Sequence, residues 1–261
     1  MHMARVNDLH IHYTLTGPED GTPVVFANSL GTDLRLWDPV LPLLPEGLRI
    51  LRFDKRGHGL SDAPKAPYSM GALITDIERL MDHLGLRDAI FVGLSIGGMI
   101  AQGLAAKRLD LVRAMVLSNT AARIGTREMW AERIAMVEAG GPEAILDGTM
   151  QRWFSKPFHD HPDFPGWRNM FLRTPPQGWA GCAAAIAGTD FISSTSGLRL
   201  PTLAIAGDKD GSTPPDLVFE TAGLIPGAQT ALIRGAGHLP CVEKPEDYAR
   251  ILTGFLKAQG A

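Results

Sequence analysis

A mostly parallel α/β sheet with helices on both faces, interrupted by an inserted helical cap, is the architecture this sequence predicts. Three observations carry that expectation. Short apolar or β-branched runs alternate with stretches of helical apolar spacing through the first 120 residues and again from Pro201 onward. That is the pattern of strand–helix–strand units, which lay down a parallel sheet covered on both faces. One run, Ala89 to Val92, enters Gly93-Leu94-Ser95-Ile96-Gly97 and passes at once into an apolar helix from about Gly98. Between residues 122 and 190 the alternation stops and only helical patches remain. The expected organisation is therefore a core in two parts, residues 1–121 and 191–261, with a cap at 122–190.

The elements follow in order. Leu9 to Leu15 sets His10, His12 and Thr14 against Leu9, Ile11 and Tyr13, the alternation of an early, half-exposed strand. Gly17 to Gly21 is a turn cluster. Pro23 to Ala27 reads as a central strand buried on both faces and ends in the loop Asn28-Ser29-Leu30-Gly31-Thr32-Asp33. Leu36 to Leu44 reads as a short helix broken by prolines. Arg49 to Phe53 is the next strand, followed by Asp54-Lys55-Arg56-Gly57-His58-Gly59-Leu60-Ser61. Ser69 through Leu84 carries Leu73, Ile77, Leu80, Met81 and Leu84 at helical spacing, with Gly85 as the stop. After the Ser95 turn and its helix, Leu111 to Leu117 is another strand, ending at Ser118-Asn119-Thr120.

Helical patches in the cap span Glu128–Ala139, Pro142–Phe154 and Gly178–Ala187. Trp130, Trp153, Trp167 and Trp179 lie in this segment, and at least two of them are expected to hold the cap's own core. A sheet edge cannot enclose a small molecule, whereas helices laid over it can, and aromatic rings make large, rigid pocket walls. The alternation resumes with a strand at Pro201–Ala206, Gly207-Asp208-Lys209-Asp210-Gly211, a helix at Pro215–Leu224 and a strand at Ala228–Ile233. Gly235-Ala236-Gly237-His238 and a last helix, Pro245–Leu256, complete it.

Composition narrows the function classes. At 261 residues and 45% hydrophobic, the chain can bury a sizeable core as one domain with an insertion. A net charge of −3 gives no electrostatic case for nucleic acid or an anionic membrane. Cys182 and Cys241 are too few for a disulfide framework or a cysteine zinc site, and they suit a reducing cytoplasm. No apolar run stands behind basic residues near the start, and none reaches the ~20 residues of a membrane span. Oligomeric state, including a homo-oligomer, is left open.

The chemistry centres on Ser95. A serine on a sharp strand-to-helix turn needs very small residues on either side, which Gly93 and Gly97 supply, and the turn thrusts its hydroxyl out at the strand's C-terminal end. Serine is a poor nucleophile until a base takes its proton, and the base needs an acid to set its tautomer. In a nucleophile elbow those partners follow in the order acid, then histidine, at the ends of later strands. His238 stands there; His58, its one competitor, precedes the elbow. Asp208 and Asp210 both follow the preceding strand, and the reach past the strand end favours Asp210, leaving Asp208 as a turn former. Two backbone N–H groups are needed for a developing oxyanion, and Ile96 and Leu30 are the candidates.

On these residues the chain resembles the α/β-hydrolase superfamily along nearly its whole length: the Gly93–Gly97 elbow, the Asp54–Ser61 loop, the Gly207–Asp210 acid loop and Gly237-His238. Most such hydrolases carry His-Gly where this chain has Asn28-Ser29. The run Asn28 to Asp33 with Trp37, the elbow wording through Met99, Arg152-Trp153-Phe154 and Gly181 to Ile186 are similar to the 3-oxoadipate enol-lactonases of bacterial aromatic catabolism. That resemblance implies a lactone substrate bearing a carboxylate, an acyl-enzyme on Ser95, and no metal or organic cofactor. The carboxylate would then need a partner in the cap: Arg133, Arg152, or an N–H of Trp130 or Trp153. Carboxylesterases and cofactor-free perhydrolases share most of the pattern, as do hydrolases of carbon–carbon bonds. Dehalogenases need a carboxylate where Ser95 stands. A ligand receptor of the same fold, turning over slowly, is the alternative from another class.

Overall fold

Asn7 and Asp8 both take positive φ, 49° and 64°, and so close a two-residue hairpin that opens the chain. In the computed structural model, which describes residues 1–261, this hairpin joins β1 (His2–Val6) to β2 (Leu9–Thr16) at one edge of a single eight-stranded sheet. Strand β1 has no counterpart in the sequence reading. The remaining strands are β3 (Thr22–Ala27), β4 (Leu48–Phe53), β5 (Ala89–Leu94), β6 (Val112–Ser118), β7 (Thr202–Gly207) and β8 (Gln229–Ile233), in spatial order β1-β2-β4-β3-β5-β6-β7-β8. All pairings from β4 across to β8 are parallel; only β1–β2 and β2–β4 are antiparallel. Strands β5 and β7 are buried along their whole length, as continuous apolar runs in a doubly covered sheet must be.

Two local expectations are corrected. The segment Leu36–Leu44 is not one helix but two 3₁₀ turns, Leu34–Trp37 and Leu41–Leu43. Asp33 caps the first through Arg35 N–H at 3.0 Å, and Pro39 and Pro42 remove the donors an α-helix would need. His12 does not share the exposed side of β2 with His10: it is buried, with Nδ1 2.8 Å from Asp54 Oδ2. The polar partner outweighs the alternation.

Helices α1 (Met70–His83), α2 (Ile96–Lys107), α8 (Pro215–Gly223), α9 (Pro240–Glu243) and α10 (Pro245–Ala258) follow their strands. Ser69 caps α1 by accepting from Ala72 N–H at 3.1 Å. Between β6 and β7 the chain leaves the sheet for α3 (Arg127–Gly140), α4 (Leu146–Trp153), α5 (Phe164–Leu172), α6 (Pro176–Ala187) and α7 (Ile192–Ser196). The two ends of this excursion meet where Phe191 N–H donates to the Ala122 carbonyl at 2.9 Å. Trp130 of α3 and Trp179 of α6 pack at 6.3 Å, and Trp153 meets Phe171 edge-on at 5.5 Å. No helix is long and apolar enough to cross a membrane.

The centre of the sheet admits no side chain where β3, β5 and α2 converge. A Cβ on Gly97 would lie 2.1 Å from the Ala27 carbonyl oxygen, and one on Gly93 would lie 2.2 Å from that of Gly97. Gly97→Ala is therefore expected to destabilise the fold by about 1–3 kcal/mol or more through overpacking. Gly254→Ala, in open space on α10, should raise stability by about 0.5–1 kcal/mol from helix propensity. Urea midpoints of the two variants moving in the same direction would contradict this account.

Candidate active site

Ser95 turns the chain from β5 into α2 with φ 58° and ψ −120°. A non-glycine residue there costs about 1–3 kcal/mol, and the surroundings hold it in place. Its N–H donates to Ser118 O at 3.0 Å, and its carbonyl accepts from Gly98 N–H (2.9 Å) and Thr120 Oγ1 (2.6 Å). The backbone is bound on both sides while the side chain makes no capping bond to α2. Its hydroxyl faces a cavity, together with His238 and Ser29.

His238 follows β8 and is almost wholly buried. Its Nδ1 lies 2.8 Å from Asp210 Oδ2, which puts the proton on Nδ1 and leaves Nε2 as the acceptor. On the Nε2 side stand the cavity and, at 3.5 Å, Ser29 Oγ. Asp210 takes five donors. Ser212 N–H (2.7 Å) and Thr213 N–H (3.0 Å) meet Oδ1; Asn119 Nδ2 (2.8 Å), Thr213 Oγ1 (2.7 Å) and His238 meet Oδ2. Burial pushes this carboxyl up, but the His238 charge and these hydrogen bonds outweigh it and hold the group below the usual carboxylate range. Asp208 turns away and accepts from Gly235 N–H at 2.6 Å. His58, the competing histidine, is buried under the Asn28–Asp33 loop, where its Nε2 accepts from Gly31 N–H at 2.9 Å.

Asn119 and Thr213 escaped the sequence reading. The one available signal for Asn119 was its place at the end of β6, beside the elbow; Thr213 carried none.

Leu30 borders the same cavity, and its N–H donates to no group of the protein. Ile96 N–H is the first of α2 and has no intrahelical acceptor. The loop bearing Leu30 is braced by Asn28 Nδ2 on Thr32 O at 2.7 Å as well as by His58.

The cavity, of about 130 Å³, is walled on its far side by Trp130, Arg133, Arg152 and Trp153. Neither guanidinium has a carboxylate partner. Arg152 reaches only Thr149 Oγ1 (3.2 Å), and Arg133 lies 5.3 Å from the centre of the Trp130 ring. Burial lowers both, and with the charge of Arg133 added, Arg152 is pushed down to about 10. Two half-buried cations thus face one cavity with no anionic partner. The Trp130 indole N–H is not available to a ligand, since it donates to Ile124 O at 2.7 Å; Trp130 offers its ring only. No three His, Cys, Asp or Glu side chains are grouped to hold a metal ion.

Helix α4 is tied to the loops that carry Asp210 and His238. The Arg152 carbonyl accepts from Gly211 N–H at 3.1 Å and the Trp153 carbonyl from His238 N–H at 2.7 Å. Glu243 accepts from Gly237 N–H (2.6 Å) and Ser155 N–H (3.0 Å), and burial nevertheless raises its carboxyl.

Comparison with known proteins agrees with this fold. A family model described as alpha/beta hydrolase fold matches residues 22–245. The chain is 34% identical to 3-oxoadipate enol-lactonase 1 of Acinetobacter baylyi over 94% of its length and 92% of the relative's. It is 30% identical to enol-lactonase 2 of the same organism, over 96% and 94%. The crystal structure of the enol-lactonase from Burkholderia xenovorans superposes with a TM-score of 0.94 at 35% identity, covering 98% of this chain and 99% of that one.

Proposed function

The chain belongs to the α/β-hydrolase fold family, and on that premise we propose that it opens 3-oxoadipate enol-lactone to 3-oxoadipate, a step of bacterial aromatic catabolism, by a serine acyl-enzyme route. The observation that carries the reading is the pair Arg133 and Arg152, without carboxylate partners, on the wall of the cavity that holds Ser95 and His238. A neutral ester gives such a pair nothing to bind. A lactone bearing a free carboxylate does, and similarity to the Acinetobacter and Burkholderia enol-lactonases supports the same substrate.

His238 Nε2 takes the Ser95 proton as Oγ attacks the lactone carbonyl, and the Nδ1 contact to Asp210 stabilises the imidazolium. Leu30 and Ile96 N–H groups receive the oxyanion. Collapse expels an enolate, which takes up the proton held by His238 to become a ketone and leaves the imidazole neutral again. Water activated by His238 then releases the acid from Ser95. Trp130 and Trp153 shape the wall, and Arg133 and Arg152 hold the carboxylate away from the oxyanion so that the two negative charges do not meet.

Loss of enol-lactone absorbance, measured beside p-nitrophenyl acetate, tests the assignment: fast lactone turnover far exceeding that of the ester is expected. Ester turnover without lactone turnover would sink the substrate and leave the hydrolase. Arg152→Met should raise KM for the lactone by roughly 10- to 100-fold, the size of one charged hydrogen bond. The neutral ester should respond by less than about twofold. Equal losses on both substrates would remove Arg152 from carboxylate binding.

A further inference from the structure

Lys55 is 3% exposed, yet no carboxylate lies within ion-pair distance of its ammonium. Nζ donates to Ser29 O at 2.6 Å and to Thr32 O at 3.1 Å, both in the loop that carries Leu30. The nearby carboxylates are engaged elsewhere. Asp54 takes His12, Leu34 N–H and Leu60 N–H, and Asp33 takes Arg35. A buried ammonium held only by backbone carbonyls is expensive to keep.

The carbonyls do not need it. Ser29 O already accepts from Thr32 Oγ1 (2.9 Å) and Thr32 N–H (3.3 Å), and Thr32 O accepts from Asn28 Nδ2 (2.7 Å). A neutral side chain would leave this loop hydrogen-bonded. The positive charge therefore calls for a reason beyond satisfying the loop, and the peptide it touches supplies one. The Ser29 carbonyl and the Leu30 N–H belong to a single planar trans unit, so they point in opposite directions. An ammonium seated on the oxygen directs the N–H away from itself, toward the cavity that Leu30 borders. A charge-assisted bond on the carbonyl also draws electrons from the nitrogen and strengthens the N–H as a donor.

We propose that Lys55 is a positioning residue for the oxyanion site, aiming and polarising the Ser29–Leu30 peptide from behind. The proposal rests on the serine-hydrolase reading of the cavity but not on which acyl substrate fills it. It assigns to Lys55 an effect that grows as negative charge develops on the substrate oxygen, and so one exerted on the transition state more than on the bound substrate.

The test compares wild type, Lys55→Met and Ser95→Ala on p-nitrophenyl acetate, with phenylboronic acid as a tetrahedral probe that adds to a serine oxygen. Met matches the length of the stem and removes only the charge and its donors. Lys55→Met should lose roughly 10- to 100-fold in kcat with KM within about twofold, and bind the boronic acid more weakly by a similar factor. A merely structural lysine would leave kcat and boronate affinity unchanged in the fraction that folds, counted by Ser95 labelling. That outcome would overturn the proposal. If Ser95→Ala matched wild type, the serine-hydrolase reading itself would fall, a separate result.

Should Lys55→Met not fold, the wild-type pH profile decides. Burial pushes the Lys55 ammonium down to about 8. The groups facing it are Asp54 and Asp33, the Cys182 thiol, which burial pushes up to about 12, and His58, kept far below its usual range by burial and by Lys55 itself. Neither of the last two titrates near 8. The kcat should fall on the alkaline side as Lys55 loses its proton, at a pH below the ordinary lysine range; a profile flat from about pH 7 to beyond the ordinary lysine value of about 10.4 would overturn the proposal.

Discussion

Ser95→Ala is expected to lower kcat for any ester or lactone on the order of a millionfold, the loss seen when a serine hydrolase is deprived of its nucleophile. The elbow makes this variant clean. The Ser95 backbone is held by Ser118, Gly98 and Thr120, while its side chain makes no capping bond. Alanine is as strained as serine at φ 58°. Stability should therefore stay within about 0.5 kcal/mol, so that activity falls while the urea midpoint does not move. A variant retaining even a hundredth of wild-type turnover would mean that the Gly93–Gly97 turn is not where the acyl group is taken up.

Asp210→Asn is expected to cost about 10⁴-fold in kcat, with Asp208→Asn within about twofold of wild type. The difference lies in what each carboxylate accepts. Five donors converge on Asp210, so an amide NH₂ at either oxygen position faces N–H or O–H groups that need an acceptor. Placed toward His238, it also asks Nδ1 to accept, moving the ring proton to the nitrogen that must receive one from Ser95. Asp208 holds one backbone N–H, that of Gly235, and an asparagine oxygen can hold it as well. Equal losses in the two variants would return the choice between the aspartates to the open.

How far the molecule was legible in its sequence depends on how local each signal is. The inner strands β3, β5, β6 and β7 were readable because strands buried on both faces leave continuous apolar runs. That Ser95, Asp210 and His238 lie together was expected because order along the chain and position at strand ends constrain them jointly, and the structure brings them to one end of the sheet. The opening hairpin was not, since its strand is short, exposed at one end and marked only by Asn7-Asp8. Arg133 and Arg152 could be suspected singly, but that they share one cavity without an anion emerges only when α3 and α4 are packed. Lys55 stands between Asp54 and Arg56 in the sequence, and nothing in that run of charge marks it out. Its burial under a loop contributed by another strand has no signature in sequence. Trp130 illustrates the same limit from the other side, because its N–H is claimed by a carbonyl six residues away.

The ties at the end of α4 have a consequence for how small molecules reach Ser95. The wall bearing Arg152 and Trp153 is bonded through its own carbonyls to Gly211 and His238, so swinging it outward would break the acid and base loops apart. Local opening on that side therefore costs both backbone hydrogen bonds and displaces His238 with them. Helix α3 is held by side chains instead: Trp130 packs on Trp179 and donates to the Ile124 carbonyl, and Val137 is buried. Pressure on the cavity wall from the α4 side is therefore passed directly to His238 and to the loop of Asp210, whereas on the α3 side it meets side-chain packing alone.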